Sequence, residues 1–516
     1  MVESRSEIER LAAGVLMVGF PGHDIPQPLV DRGVRSFILF SPNVGAADDV
    51  RALTSELRAR AGQDTLVAID HEGGRVNRLA ATGAASAFPA AMGWAATGDL
   101  DLVERASQAA AGELAALGIN LNFAPVVDLL ADHRNPALGT RCFSDDPTLV
   151  ARCAAAFAAG HRSSGVAATA KHFAGHGATP VDSHLDLPEI DKNLESLQTE
   201  DIVPFRAAAA AGADCLMISH AWYPALDEEP TPATVSRAVG RLARDVVGDR
   251  GVVVTDCMEM GAIQTRMSTG QAVVGALQAG TDLVLVSHRS DRQHEALDAI
   301  VAAVESGALP RERLEEANRR LDALRGRVRI HGEIPPSADG IVRELTRRAV
   351  TLVRDEEGIL PLSRERRLGV VGFSSRTASQ VEGATVVRRA PLAERVAERH
   401  PAIRAVTVEP DMPVQTVIDA LADVETVLVG TAFATGRPVQ AEVVRALHQA
   451  GKRVVVLALA DPFDLLAFPQ VACFLAAYDE TPVMIDSALD VLFGEAEARG
   501  RLPVALPGLY PRGHRA

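Results

Sequence analysis

Three of the chain's 14 histidines and one of its few lysines fall within one stretch, Lys171-His172-Phe173-Ala174-Gly175-His176-Gly177, which continues to Asp182-Ser183-His184. Asp182 and His184 are two residues apart, so in an extended loop their side chains project to the same side. A carboxylate beside an imidazole fixes its tautomer and raises its pKa towards neutrality. That suits a group that donates a proton and later removes one. Gly175 and Gly177 give the loop freedom to swing over a bound substrate. Any one of these histidines is adequately explained as a cap on backbone groups; the cluster with its lysine is not. Only three of the chain's 52 cationic residues are lysines (Lys171, Lys192, Lys452). Where a generic cation serves, this chain uses arginine, so a lysine inside a motif points to a need for a compact point charge.

Three further segments carry polar groups that could act with this cluster. Thr255-Asp256 closes the apolar run Val252-Val253-Val254. A carboxylate there is a salt-bridge partner, a metal ligand or a nucleophile. Metal ligation is disfavoured by the lack of a His-Glu-x-x-His or Asp-x-Asp pattern and of a second carboxylate at suitable spacing. Glu259 competes with Asp256 but falls in the following turn, and Cys257 reads as a small buried residue. In Asp70-His71-Glu72-Gly73-Gly74-Arg75-Val76-Asn77-Arg78, Asp70 ends a strand and Arg78 follows a tight glycine loop. Carboxylate and guanidinium together grip paired hydroxyls, as a sugar presents them. Standing alone, this pair would be read as a surface ion pair. Arg141 lies in a long loop after the strand end Phe123-Ala124-Pro125-Val126-Val127-Asp128 and adds another cation.

Short β-branched runs at 15–20, 36–40, 66–70, 120–124, 167–172, 215–219, 252–256 and 283–287 read as strands. Between them, apolar residues at three- and four-residue spacing (103–117, 148–163, 271–279) read as helices. About eight strands alternating with helices in roughly 320 residues predict a (β/α)8 barrel. In such a barrel the C-terminal strand ends face the site. Here they finish with Asp70, Lys171-His172, Ser219-His220, Thr255-Asp256 and Ser287-His288. A buried strand end otherwise prefers apolar residues, so five polar endings in register argue for a built site.

Residues 1–332 are therefore expected to form the catalytic barrel, 333–340 a linker marked by Pro335 and Pro336, and 341–516 a smaller α/β sandwich domain. The second domain has a helix at 341–352 and strands at 368–373, 426–430, 454–459 and 473–478. Its first turn lacks a phosphate-binding glycine loop. A net charge of −15 disfavours nucleic-acid and anionic-membrane binding. No secretory leader or membrane-spanning run is read from the sequence. Five scattered cysteines fit free thiols in a reducing cytoplasm.

Taken together, these motifs resemble glycoside hydrolase family 3, and within it the β-N-acetylglucosaminidase branch, over essentially the whole chain. The segments 352–362 and 502–511 are also similar to family segments. The resemblance implies Asp256 as nucleophile, a mobile-loop His184–Asp182 acid/base dyad, and sugar binding by Asp70, Arg78, Arg141, Lys171 and His172. It implies a retaining mechanism through a glycosyl-aspartate, a small N-acetylglucosaminide substrate from cell-wall or chitin fragments, and neither cofactor nor metal. Ala174 stands where proline is common and Cys142 where serine is common. A β-N-acetylglucosaminide phosphorylase, a β-glucosidase and an inactive sugar-binding protein remain as alternatives.

Overall fold

The computed structural model describes residues 5–183, 185–328, 330, 337–379, 384–389 and 391–516. Eight parallel strands close into a barrel: β1 (Leu16–Val18), β2 (Ser36–Leu39), β3 (Leu66–Ile69), β4 (Leu121–Asn122), β5 (Ala167–Phe173), β6 (Cys215–Ile218), β7 (Val252–Cys257) and β8 (Leu283–Val286). Neighbours around the barrel follow chain order, and β8 closes onto β1. All eight predicted strands are present. Four are one residue shorter than the apolar runs suggested, three of them because Asp70, Ser219 and Ser287 have already left the ladder for the loops above it; β1 and β4 are three residues shorter, and β5 and β7 one residue longer. The strands are buried along nearly their whole length, which explains continuous apolar runs rather than alternation.

Local chemistry fixes the helices that wrap the barrel. Asp99 accepts from Leu102 N (3.0 Å) to start the helix Leu100–Ala116. Asp146 caps Pro147–Ser163, where Pro147 occupies a position whose N–H would be unpaired anyway. Ser268 and Gln271 cap the helix Thr269–Ala279 reciprocally. These helices pack their alanine-rich faces closely; a side chain on Gly240 would meet Ala279 O at 1.8 Å.

Beyond the barrel lies a mixed sheet of seven strands: β9 (Thr351–Asp355), β10 (Leu368–Ser379), β11 (Ala384–Arg389), β12 (Ile403–Val408), β13 (Thr426–Thr431), β14 (Arg453–Ala458) and β15 (Cys473–Ala476). The four strands expected from sequence form its middle, in the order β15-β14-β13-β10. Strand β9 pairs antiparallel with β15 on one side, while β11 and β12 both pair with β10 on the other. The fold is thus a (β/α)8 barrel followed by an α/β domain. The division at 333–340 remains a proposal: residues 333–336 lie outside those described, and the next helix, Asp339–Ala349, buries Val342 and Leu345 among residues of the barrel's helices. The second domain's core in turn takes in Met92, Val126, Leu138 and Cys142 from the barrel loops, so the two parts share apolar packing.

Candidate active site

The polar strand ends meet at the C-terminal mouth of the barrel. Asp70 follows β3 directly, and a two-stranded ribbon (His71–Gly73 with Val76–Asn77) carries the chain to Arg78. Lys171 and His172 end β5, where the register against β6 shifts between Lys171 and Phe173. Such an irregularity re-aims side chains at a barrel rim. Arg141 comes from the short turn Gly139–Arg141 in the long loop after β4.

These residues form one buried ionic network. Lys171 Nζ lies 2.8 Å from Asp70 Oδ1 and 2.6 Å from Glu72 Oε1. Arg78 reaches the other oxygen of Asp70 at 3.1 Å, and Arg141 grips Glu72 with two parallel bonds of 2.7 and 2.8 Å. The Arg78 guanidinium also sits over the Phe40 ring, 5.0 Å from its centre. Burial alone would push Asp70 towards its neutral form, but Lys171 and Arg78 outweigh it and hold the carboxyl far below the usual carboxylate range. Glu72 is likewise resisted by burial, yet Arg141 and Lys171 bring it down to about 2. Burial opposes the charge on Lys171, and Asp70 and Glu72 overcome it and raise its pKa. Three cations and two carboxylates thus make up the cluster at the mouth. The single lysine bridges the two carboxylates through a compact ammonium on a long flexible stem.

The two lysines outside the mouth are also placed as point charges. Lys192 meets Asp201 (2.6 Å) and Glu200 (3.1 Å), and Lys452 Nζ donates to three backbone carbonyls, Leu421, Ala422 and Val424.

A second network orders the start of the 171–184 loop. Asp128, fully buried, takes the His172 ring (Nδ1 at 2.7 Å) and the backbone N–H of His172 and His176 (3.1 and 2.7 Å). Burial again works against its charge, and the His172 and His176 contacts lower its pKa nonetheless. Tyr223 Oη accepts from Ala174 N (3.0 Å) and donates to Gly175 O (2.9 Å). Asn135 holds the carbonyls of His176 and Thr179. Gly177 serves contact rather than freedom: a Cβ there would lie 1.5 Å from Leu129 O. The loop is therefore rooted at 174–179, whereas Val181 and Leu185 are exposed further along.

Asp256 lies in β7, with its Oδ1 accepting from Cys257 N at 2.7 Å. Its charge acts on the His176 imidazole, which burial otherwise drives towards the neutral form. Among the described residues, neither ring nitrogen of His176 meets a hydrogen-bonding partner. The loop returns to this strand end: Ser183 O accepts from Ala262 N (3.2 Å), and Asp186 pairs with Arg266 (3.1 Å). Asp182 is half-buried beside Ser183. His184 lies outside the described residues.

Of the residues expected from sequence, Asp70, Arg78, Arg141 and Lys171 are thus in one network, and His172 is in the adjoining one. Glu72, Asp128 and Tyr223 were not singled out, and His176 was counted only as one of the clustered histidines. Glu72 and Asp128 lay inside quoted motifs, but nothing in their spacing announced that one would bridge two cations and the other anchor a loop 44 residues away.

The N-terminal domain model of glycosyl hydrolase family 3 matches residues 7–324, and the family's C-terminal domain model matches 350–509. The chain is 37% identical over 282 residues to a β-hexosaminidase of Xanthomonas oryzae pv. oryzae, covering 53% of this chain and 84% of that one. It is 36% identical over 296 residues to a β-hexosaminidase of Xylella fastidiosa, covering 55% of this chain and 87% of the relative. Among solved structures, a family 3 β-N-acetylglucosaminidase from Paenibacillus sp. str. FPU-7 superposes with a TM-score of 0.90 at 34% identity, over 96% of this chain and 98% of that one.

Proposed function

This chain belongs to glycosyl hydrolase family 3, and we propose that it is an exo-acting, retaining β-N-acetylglucosaminidase. The hydrolase class and the β-N-acetylhexosaminidase type follow from relatives that match both domains or most of their own length. One observation carries the mechanistic part: the 171–186 loop is bonded through Ser183 O to Ala262 N, six residues after Asp256, at the end of the barrel where the Asp70–Lys171–Glu72–Arg141 network is buried.

In this mechanism Asp256 attacks the anomeric carbon while His184, oriented by Asp182, protonates the leaving oxygen. Water then displaces the aspartate, with His184 removing its proton. Asp70, Arg78, Arg141, Lys171 and His172 hold the sugar's hydroxyls and acetamido carbonyl. Their ionic partners fix them before substrate arrives, so binding does not have to order them. The substrate is a small N-acetylglucosaminide from cell-wall or chitin fragments, handled in the cytoplasm. Five unpaired, buried cysteines fit a reducing compartment, and among the described residues no helix is long and apolar enough to cross a membrane.

The test compares 4-nitrophenyl N-acetyl-β-glucosaminide with the corresponding glucoside on one preparation, in phosphate and in phosphate-free buffer. The expected result is preference for the acetamido substrate, free sugar as product, and Asp256→Asn reduced to the background rate. Sugar-1-phosphate as the main product would replace hydrolysis with phosphorolysis. Full turnover by Asp256→Asn would overturn the nucleophile assignment.

A further inference from the structure

Beside the proposed nucleophile, three side chains from two strand ends converge without a role in sugar binding. Cys257 ends β7, Glu259 lies in the turn that follows, and His288 comes just after β8. Cys257 Sγ is 3.8 Å from Glu259 Oε2 and 3.9 Å from His288 Nδ1, and the latter two atoms are 3.5 Å apart. All three ligand atoms lie within 4.8 Å of one another. In a tetrahedral zinc site with bonds of about 2.3 Å to sulfur and about 2.0–2.1 Å to nitrogen or oxygen, ligand-to-ligand edges come to roughly 3.3–3.6 Å. The triangle would need to contract by only a few tenths of an ångström.

The ligands are also held in place. Glu259 accepts the backbone N–H groups of His288 (2.6 Å) and Arg289 (3.0 Å), which fixes the carboxylate while Oε2 keeps a second lone pair. The His288 ring lies against Phe40, 4.8 Å between centres. The Cys257 carbonyl is bonded to His220 Nε2 at 2.8 Å, and its sulfur touches Ser287 Oγ at 2.8 Å. On the far side the site opens outward, because the His288 side chain is 60% exposed. A thiolate, an imidazole and a carboxylate with one position left open is a donor set for a borderline-soft cation such as Zn²⁺, and a poor one for Mg²⁺ or Ca²⁺.

We propose that Cys257, Glu259 and His288 form a three-ligand binding site for a thiophilic divalent cation, Zn²⁺ above all, and that occupancy restrains turnover. Binding replaces the thiol proton of Cys257 with the metal and releases that proton to solvent. The restraint has two routes. The Cys257 N–H donates to Asp256 Oδ1, so a dication on the adjoining thiolate draws on the carboxylate's charge. Phe40 packs against His288 and under Arg78, so fixing the ring also fixes one wall of the sugar site. This second part rests on Asp256 being the nucleophile; the binding site itself does not.

The test uses the intact chain. Titration with Co²⁺ as probe is expected to give a saturable one-to-one thiolate-to-cobalt charge-transfer band that Zn²⁺ displaces. Cys257→Ser should abolish the band. His288→Ala, an exposed position that should not disturb folding, is expected to weaken Zn²⁺ binding by at least tenfold in calorimetry. With the aryl N-acetylglucosaminide, stoichiometric Zn²⁺ should inhibit the native enzyme and leave His288→Ala unaffected. A band that persists in Cys257→Ser, or no saturable binding at all, overturns the site. Saturable binding with unchanged turnover supports the site and overturns its coupling to Asp256.

Discussion

Two groups of buried carboxylates in this molecule have opposite electrostatic fates. At the barrel mouth, Asp70, Glu72 and Asp128 are shielded from water yet held ionised, because Lys171, Arg78, Arg141 and His172 lie within bonding distance. In the second domain, burial dominates. It raises Asp461 and Asp464, and the nearness of Asp461 raises Asp464 further. Burial, with Glu480 adding to it, pushes Asp479 up to about 6. These carboxyls are used as acceptors for backbone N–H groups: Asp464 takes Ala434, Asp461 takes Phe463, and Asp479 takes Thr481 and, across the domain contact, Ala90. The same side-chain type therefore fixes charge in one region and fixes backbone in the other. The difference is the count of cations that the fold brings within about 3 Å.

The largest expected effect comes from removing the shared cation. Lys171→Met leaves Asp70 and Glu72 with one partner fewer in a buried site, which should cost about 3–5 kcal/mol of stability. It should also lower kcat/KM by roughly a thousandfold, about 4 kcal/mol of transition-state stabilisation. Thermal unfolding and steady-state kinetics together check this. A stable, active variant would break the claim that the mouth carboxylates depend on Lys171.

Next is a substitution that keeps shape and removes charge. Glu72→Gln loses the charge-assisted fork to Arg141 and should destabilise by about 2–3 kcal/mol. Its pH dependence has a definite sign. The folded-state pKa of Glu72, about 2, is depressed from 4.5. The stability it contributes is present above pH 4.5 and is lost as pH falls through about 2. Wild-type and Glu72→Gln melting temperatures should therefore differ most at neutral pH and converge below pH 3.

The same change in the second domain should act in the opposite direction. Asp464 Oδ1 accepts from Ala434 N while Oδ2 meets no partner among the described residues, so an amide fits with its oxygen inward. Because the folded pKa is raised, the favourable contribution of Asp464 is complete below its unfolded value and is lost as pH rises through the folded one. Asp464→Asn should flatten that alkaline decline and raise stability by about 1–2 kcal/mol at pH 8. Denaturant melts of both proteins between pH 5 and 9 would show it. Equal losses at Glu72 and Asp464 would erase the distinction between the two regions.

The smallest effect is expected where a carboxylate faces water. Asp146 caps Pro147–Ser163 and pairs with Arg512 at 2.9 Å, with 27% of its side chain exposed. Asp146→Ala should cost about 1 kcal/mol through the lost cap, with kcat/KM unchanged.

Much of this was legible in the residues. Eight apolar runs gave eight barrel strands, since a strand buried on both faces must be apolar throughout and its polar end then stands out. The rarity of lysine marked Lys171, which does bridge two carboxylates. The outer strands of the second sheet were less legible. The end of 341–352 read as helix, although the helix stops at Ala349 and β9 begins at Thr351. Strand β12 (Ile403–Val408) has four apolar residues of six and was still not read as a strand; it is exposed at Arg404, Ala405 and Thr407.

The sequence by itself determined the barrel, the polar strand ends and the residue types at the mouth, because those follow from local periodicity and from which residues tolerate burial. Tertiary structure alone decided which charges pair. The Glu72–Arg141 fork joins positions 69 apart, the Asp70–Lys171 bond joins positions 101 apart, and the Cys257–His288 approach needs two separate strands to end side by side. Excluding water strengthens such charge pairs, and their hydrogen bonds form only when the partners come within about 3 Å of each other. Their strength is set by distances through space that spacing along the chain does not encode.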